Sequence, residues 1–166
     1  MNIFEFAKEK EKFSEHYYRQ LAEKTTHKGL KHICSMLAEE ESRHLKVVQE
    51  MQNENAQIPA ESHVLKNAKE IFESMRQATE KFDFDISELE MFQKARDIEQ
   101  ESKEFYLEKA EEVEDERQKE IFYKLANEEE KHYFIIDNIC DFLDRPNWFL
   151  ENAEMYRFDD YDGGVL

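Results

Sequence analysis

Apolar side chains recur every three or four positions along four long stretches, near residues 2–25, 29–54, 87–113 and 116–144. That spacing lines one face of an α-helix, so it predicts four long amphipathic helices. The inward stripe of the first reads Phe4, Ala7, Glu11, Ser14, Tyr18, Leu21, and that of the second Leu30, Cys34, Leu37, Glu41, His44, Val48, Met51. The third reads Leu89, Phe92, Ala95, Glu99, Ser102, Tyr106, and the fourth Phe122, Leu125, Glu129, His132, Ile136, Ile139, Leu143. Residues 53–61, which include Pro59, break the second stretch, and residues 64–79 predict a shorter helix within a long crossover. Ser87 and Glu90 have the spacing of a capping box that would open the third long helix. The expected fold is all-α, a four-helix bundle over residues 1–145, with an aromatic, acidic tail over 146–166 packing against it.

The chain also repeats itself. A shift of 88 residues carries Glu11 onto Glu99, Ser14 onto Ser102, Tyr18 onto Tyr106 and Ala22 onto Ala110. It carries Ile33 onto Ile121, Leu37 and Ala38 onto Leu125 and Ala126, Glu41 onto Glu129, and His44 onto His132. Each half therefore holds E-x-x-S-x-x-x-Y and, further on, E-x-x-H. Two matched helical hairpins joined by a long connection follow.

Composition narrows the class. With 166 residues there is room for one sizeable core, and three Gly with two Pro supply little turn chemistry for a many-stranded fold. A formal net charge of −17 excludes nucleic acid and anionic membranes as partners, because a phosphate surface would repel it. The two cysteines, Cys34 and Cys140, form no C-x-x-C pair and fall on apolar faces, where a buried inert thiol is expected. The first residues are charged at once, and no apolar run approaches a membrane span; a soluble cytoplasmic protein is expected.

Against that background, one acidic residue interrupts each apolar stripe near its middle. Four carboxylates in one core layer cannot stay ionised and unpaired, since desolvation alone costs several kcal/mol per charge. No Lys or Arg interrupts the stripes at that level, but two imidazoles follow Glu41 and Glu129 by one turn. Four ionised Glu with two neutral His carry −4, which two divalent cations cancel, and this donor set suits two first-row metals about 3.5–4 Å apart. Residues i and i+3 share a helix face, so Glu41 with His44 can grip one ion and Glu129 with His132 the other. The Tyr18 and Tyr106 hydroxyls could orient the carboxylates, and the small Ser14 and Ser102 would leave room for an oxygen species beside the ions.

On these motifs the chain resembles the ferritin-like di-iron carboxylate superfamily, most closely its rubrerythrin-like branch, over residues 2–144. The resemblance implies two iron ions, which an oxide could bridge, and manganese is open to the same donors. It further implies that Glu41 and Glu129 bridge the ions, that Glu11 and Glu99 are terminal ligands, and that His44 and His132 sit on separate irons. The implied activity is reaction with O2 or hydrogen peroxide, commonly in a homodimer. Two departures stand out. Rubrerythrins proper add a four-cysteine iron domain that these two cysteines cannot supply, so electrons would come from a separate donor protein. They also carry a further Glu one turn after the third-helix ligand, where this chain has Ser102.

One E-x-x-H among six histidines is about what chance gives in so Glu-rich a chain; two copies in one register are not. His16, His27, His32 and His63 fall off the stripes or in connections and are expected to be surface or capping residues. Two alternatives to the oxidoreductase stay open: a bundle that handles iron, as ferroxidase or carrier, and a metal-free structural bundle.

Overall fold

Each apolar stripe becomes the buried face of one helix. The structure is a computed structural model that describes residues 2–78, 84 and 86–146. Its helices are α1 (Ile3–Lys24), α2 (Lys28–Gln52), α3 (Val64–Gln77), α4 (Ile86–Glu112) and α5 (Glu116–Asp144). The expected packing of the tail lies outside the described residues, which end at Pro146.

Local chemistry explains most of the boundaries. The Asn2 side chain accepts from the Glu5 amide at 2.9 Å to open α1, and Asp115 accepts from the Gln118 amide at 2.8 Å to open α5. His27 Nδ1 accepts from the Gly29 amide at 2.9 Å to open α2. The expected capping box at Ser87 is corrected: α4 begins at Ile86, so Ser87 already lies inside the helix. A tertiary contact fixes this end instead. The buried Glu88 carboxylate accepts from Thr25 Oγ1 at 3.0 Å and from the Thr26 amide at 2.9 Å, tying α4 to the α1–α2 turn.

Cross-helix pairs give the register. Tyr18 meets Glu99 while Tyr106 meets Glu11, so numbers rise along α1 as they fall along α4, and the two run antiparallel. His44 meets Glu129 while His132 meets Glu41, which makes α2 and α5 antiparallel as well. Short turns make α1–α2 and α4–α5 antiparallel hairpins. The order around the bundle is therefore α1, α2, α5, α4, with α2 parallel to α4, and the crossover must travel the length of the bundle. Along that path α3 packs on α2 and α5, and the fully buried Phe72 meets Phe142 edge-on at 5.9 Å.

The core divides in two. One apolar cluster gathers Leu30, Ile33, Leu37, Phe92, Ile136 and Ile139 with their neighbours; the other gathers Ala7, Val48, Met51, Tyr106, Ile121 and Phe122. Between them lies the layer of interrupting acids and imidazoles. Among the described residues no helix is long and apolar enough to cross a membrane.

Candidate metal centre

All six interrupting side chains turn inward. Glu11 comes from α1, Glu41 and His44 from α2, Glu99 from α4, and Glu129 and His132 from α5, and none is more than 4% exposed. They form two overlapping groups, each with donor atoms within 4.8 Å of one another: Glu11, Glu41, His44 and Glu129, and Glu41, Glu99, Glu129 and His132. Glu41 and Glu129 belong to both.

The imidazoles frame the layer. Their rings lie parallel, 8° apart in tilt, with centroids 5.5 Å apart. His44 Nδ1 sits 2.8 Å from Glu129, 3.5 Å from Glu41 and 3.7 Å from Glu11. His132 Nδ1 repeats the pattern from the other half, at 3.0 Å from Glu41, 3.5 Å from Glu99 and 3.9 Å from Glu129. The same ring nitrogen thus faces the carboxylates in both halves.

Without cations the layer neutralises itself with protons. Burial, with the charges of Glu99 and Glu11, pushes the Glu41 carboxyl well above the usual carboxylate range. Burial with Glu41 and Glu99 does the same to Glu129. Burial also pushes on Glu11 and Glu99, but the adjacent imidazoles outweigh it: Glu11 is held below its ordinary value and Glu99 falls to about 2. Burial works against charged imidazoles too, yet Glu11 lifts His44 well above its ordinary value and Glu99 lifts His132. Carried to completion, these directions give two carboxylates, two imidazolium ions and two neutral acids, which sum to zero. The same six groups as ligands would carry −4, so up to four protons separate the two states, and two divalent cations can displace them.

The donor set fits a pair of metal ions on an observation of its own. Among the described residues, Oε2 of Glu11, Glu41, Glu99 and Glu129 are buried with no donor from outside the cluster meeting them. Buried oxygens left without a partner are rare in a folded interior. Here four of them meet in one layer, beside two imidazoles that present Nδ1, and oxygen with nitrogen donors suits first-row metals.

The Tyr18 hydroxyl donates to Glu99 and the Tyr106 hydroxyl to Glu11, each reaching across to the opposite half of the repeat. Burial and those carboxylates push both phenols well up, so both remain donors. Ser14 and Ser102 are buried beside the layer. His16 and His32 are exposed, and His27 and His63 stand at the openings of α2 and α3. Cys34 and Cys140 are buried free thiols, the second pushed up to about 12 by burial, and neither belongs to a metal-capable group.

Sequence reasoning missed a buried ionic flank. Glu40, Glu128 and Lys131 are at most 8% exposed, just outside the six-residue layer. Ser62 and Arg43 reach Glu40, while Glu61 accepts from Lys124 at 2.6 Å and Lys131 at 2.9 Å. The signal was there, since Glu40 and Glu128, and Arg43 and Lys131, also stand 88 apart.

A family model described as Rubrerythrin matches residues 2–139, a span containing all six side chains. Comparison with curated proteins and with solved structures returned no match.

Proposed function

The chain belongs to the rubrerythrin family, and on that premise we propose that its core holds two iron ions and that the loaded protein reduces hydrogen peroxide or dioxygen. The observation that carries this reading is the overlap of two four-residue donor groups on Glu41 and Glu129. Glu11 and His44 would complete one site and Glu99 and His132 the other, with Glu41 and Glu129 shared. When bound, the iron pair supplies the two electrons, one from each ion.

The chain's own groups do the rest. Glu41 and Glu129 give up their protons as cations enter, which turns two neutral acids into shared carboxylates. Tyr18 and Tyr106, clamped on Glu99 and Glu11, hold one oxygen of each carboxylate so that the other stays aimed inward. The two apolar clusters above and below keep bulk water from the layer. Ser14 and Ser102 leave space on the α1–α4 side for the oxidant. Ser102, standing where rubrerythrins carry a further Glu, makes the site more open and less charged there. Electrons reach the centre from a separate donor protein, and the working form is a cytoplasmic homodimer.

A second reading, iron handling, is favoured by that same serine and by the net charge of −17, which draws cations to the surface. One experiment addresses both. Ferrous-loaded protein is mixed anaerobically with peroxide, or with dioxygen, and the ferric absorption is followed with and without a reductant. Repeated turnover supports the oxidoreductase, and a single stoichiometric oxidation with release supports iron handling. Protein that stays ferrous under both oxidants would overturn both.

A further inference from the structure

Between α1 and α4 a pocket of about 290 Å³ opens to solvent. Its walls are Phe6, Phe13 and Ile98, and its floor includes Ser14 and Ser102. The two phenylalanines are 46% and 54% exposed, high values for large apolar side chains. Lys10 also lines the pocket, its ammonium 5.6 Å from the Phe6 ring centre and 5.5 Å from that of Phe105. The floor is the part closest to the candidate centre: Ser14 and Ser102 are buried, and each follows by one turn a carboxylate, Glu11 or Glu99, whose Oε2 lacks a partner from outside the cluster.

The size and lining of this pocket do not suit hydrogen peroxide or dioxygen alone. A water-sized molecule takes roughly 30 Å³, so the pocket has several times the space either needs. Two aromatic rings and an isoleucine offer a small oxidant nothing to bind. They do offer a surface to a hydrocarbon group, and the volume is that of a small organic ligand. The rim carries Glu9 and Glu101 against Lys10, which disfavours an anion. The geometry points to a binding site for a small, neutral organic hydroperoxide. Its hydrocarbon part lies against Phe6, Phe13 and Ile98, and its –OOH group passes between Ser14 and Ser102 toward the carboxylates.

This assignment rests on the proposed reductase reading and names the substrate class of the same centre. The reaction breaks the O–O bond of ROOH, consumes two protons and two electrons, and yields ROH and water. One electron comes from each of two ferrous ions.

Binding is tested apart from turnover. The metal-free full-length protein is titrated with 2-phenylpropan-2-ol, the unreactive alcohol product of cumene hydroperoxide, and backbone amide NMR shifts are followed. Saturable shifts confined to the α1 and α4 residues around Phe13 and Ile98 are expected. Phe13→Glu, a change at an exposed position, should weaken them about tenfold or more. In parallel, ferrous-loaded wild type is mixed with cumene hydroperoxide and with hydrogen peroxide, and the organic oxidant should react at least as fast. No pocket shifts, or equal binding to the Phe13→Glu protein, overturns the pocket assignment even where hydrogen peroxide oxidises the centre. A centre that neither oxidant oxidises overturns the reductase reading and this inference with it.

Discussion

Raising the pH should strip stability from the metal-free protein, and glutamine at two positions should blunt the loss. Burial and neighbouring carboxylates push Glu41 and Glu129 up, and carboxylates lift His44 and His132 against burial. In the unfolded chain these groups return to ordinary values of 4.5 and 6.5. Above the higher of those values, each group held up in the folded state keeps a proton that the unfolded chain has released, four at most. A raised group stabilises fully below its unfolded value and loses that contribution as pH climbs toward its folded one. Each extra proton then costs about 1.4 kcal/mol per pH unit, and four cost about 5 kcal/mol per unit. A domain with roughly 5–15 kcal/mol of stability cannot sustain that over many units. Glu11 and Glu99, held down, act in the opposite sense: their contribution is present above 4.5 and fades only in acid, so they are silent here. Glu41→Gln with Glu129→Gln copies the neutral acids without a proton to lose and should roughly halve the slope. Urea denaturation with a chelator present, repeated between about pH 7 and pH 8, measures it. Stability that is flat or rising across that interval would refute the protonation pattern.

Three further outcomes follow from the packing. Tyr18→Phe and Tyr106→Phe each remove a donor from a buried carboxylate. Each should cost about 1.5–3 kcal/mol by denaturation and about 10–100-fold in metal affinity by titration. Phe72→Ala leaves a cavity under α3 at a fully buried position and should cost about 3–5 kcal/mol, with faster amide exchange in α3. Because α3 carries none of the six donors, the metal titration should keep its stoichiometry. Glu61→Ala breaks both lysine pairs that pin the crossover, but its side chain is 68% exposed, so the loss should stay below about 1 kcal/mol and shrink with salt. The lysines hold Glu61 at about 2, so this small contribution is present above 4.5 and lost as pH falls toward about 2.

Helix periodicity carried most of the fold. The second stripe, from Leu30 to Met51, is buried at every position expected of it, and so is the fourth, from Phe122 to Leu143. Elsewhere the pattern loosens for physical reasons. Leu89, expected inward, is only half-buried, because Glu88 beside it turns in to bind Thr25 and Thr26. Ile135 and Phe142 are buried off the stripe of α5, where α3 covers a face that periodicity reads as outer. Tyr18 and Tyr106 were legible as donors but not which carboxylate each would reach. A stripe records one helix face, whereas the crossed pairing depends on the antiparallel register of two helices far apart in sequence. Lys131 escaped for a related reason: it flanks the stripe and is paired by Glu61, which the crossover brings to it. The six inward donors were visible because an acid in an apolar stripe contradicts its surroundings, and the repeat of 88 showed the contradiction twice.

The most direct test is a calorimetric titration of metal-free protein with ferrous ion under anaerobic conditions near pH 7, repeated in buffers of different ionisation enthalpy. The count of protonated and ionised groups in the layer predicts two ions bound per chain and about four protons released. Binding of fewer than two ions, or uptake of two without proton release, would contradict the claim that cations replace protons in the core.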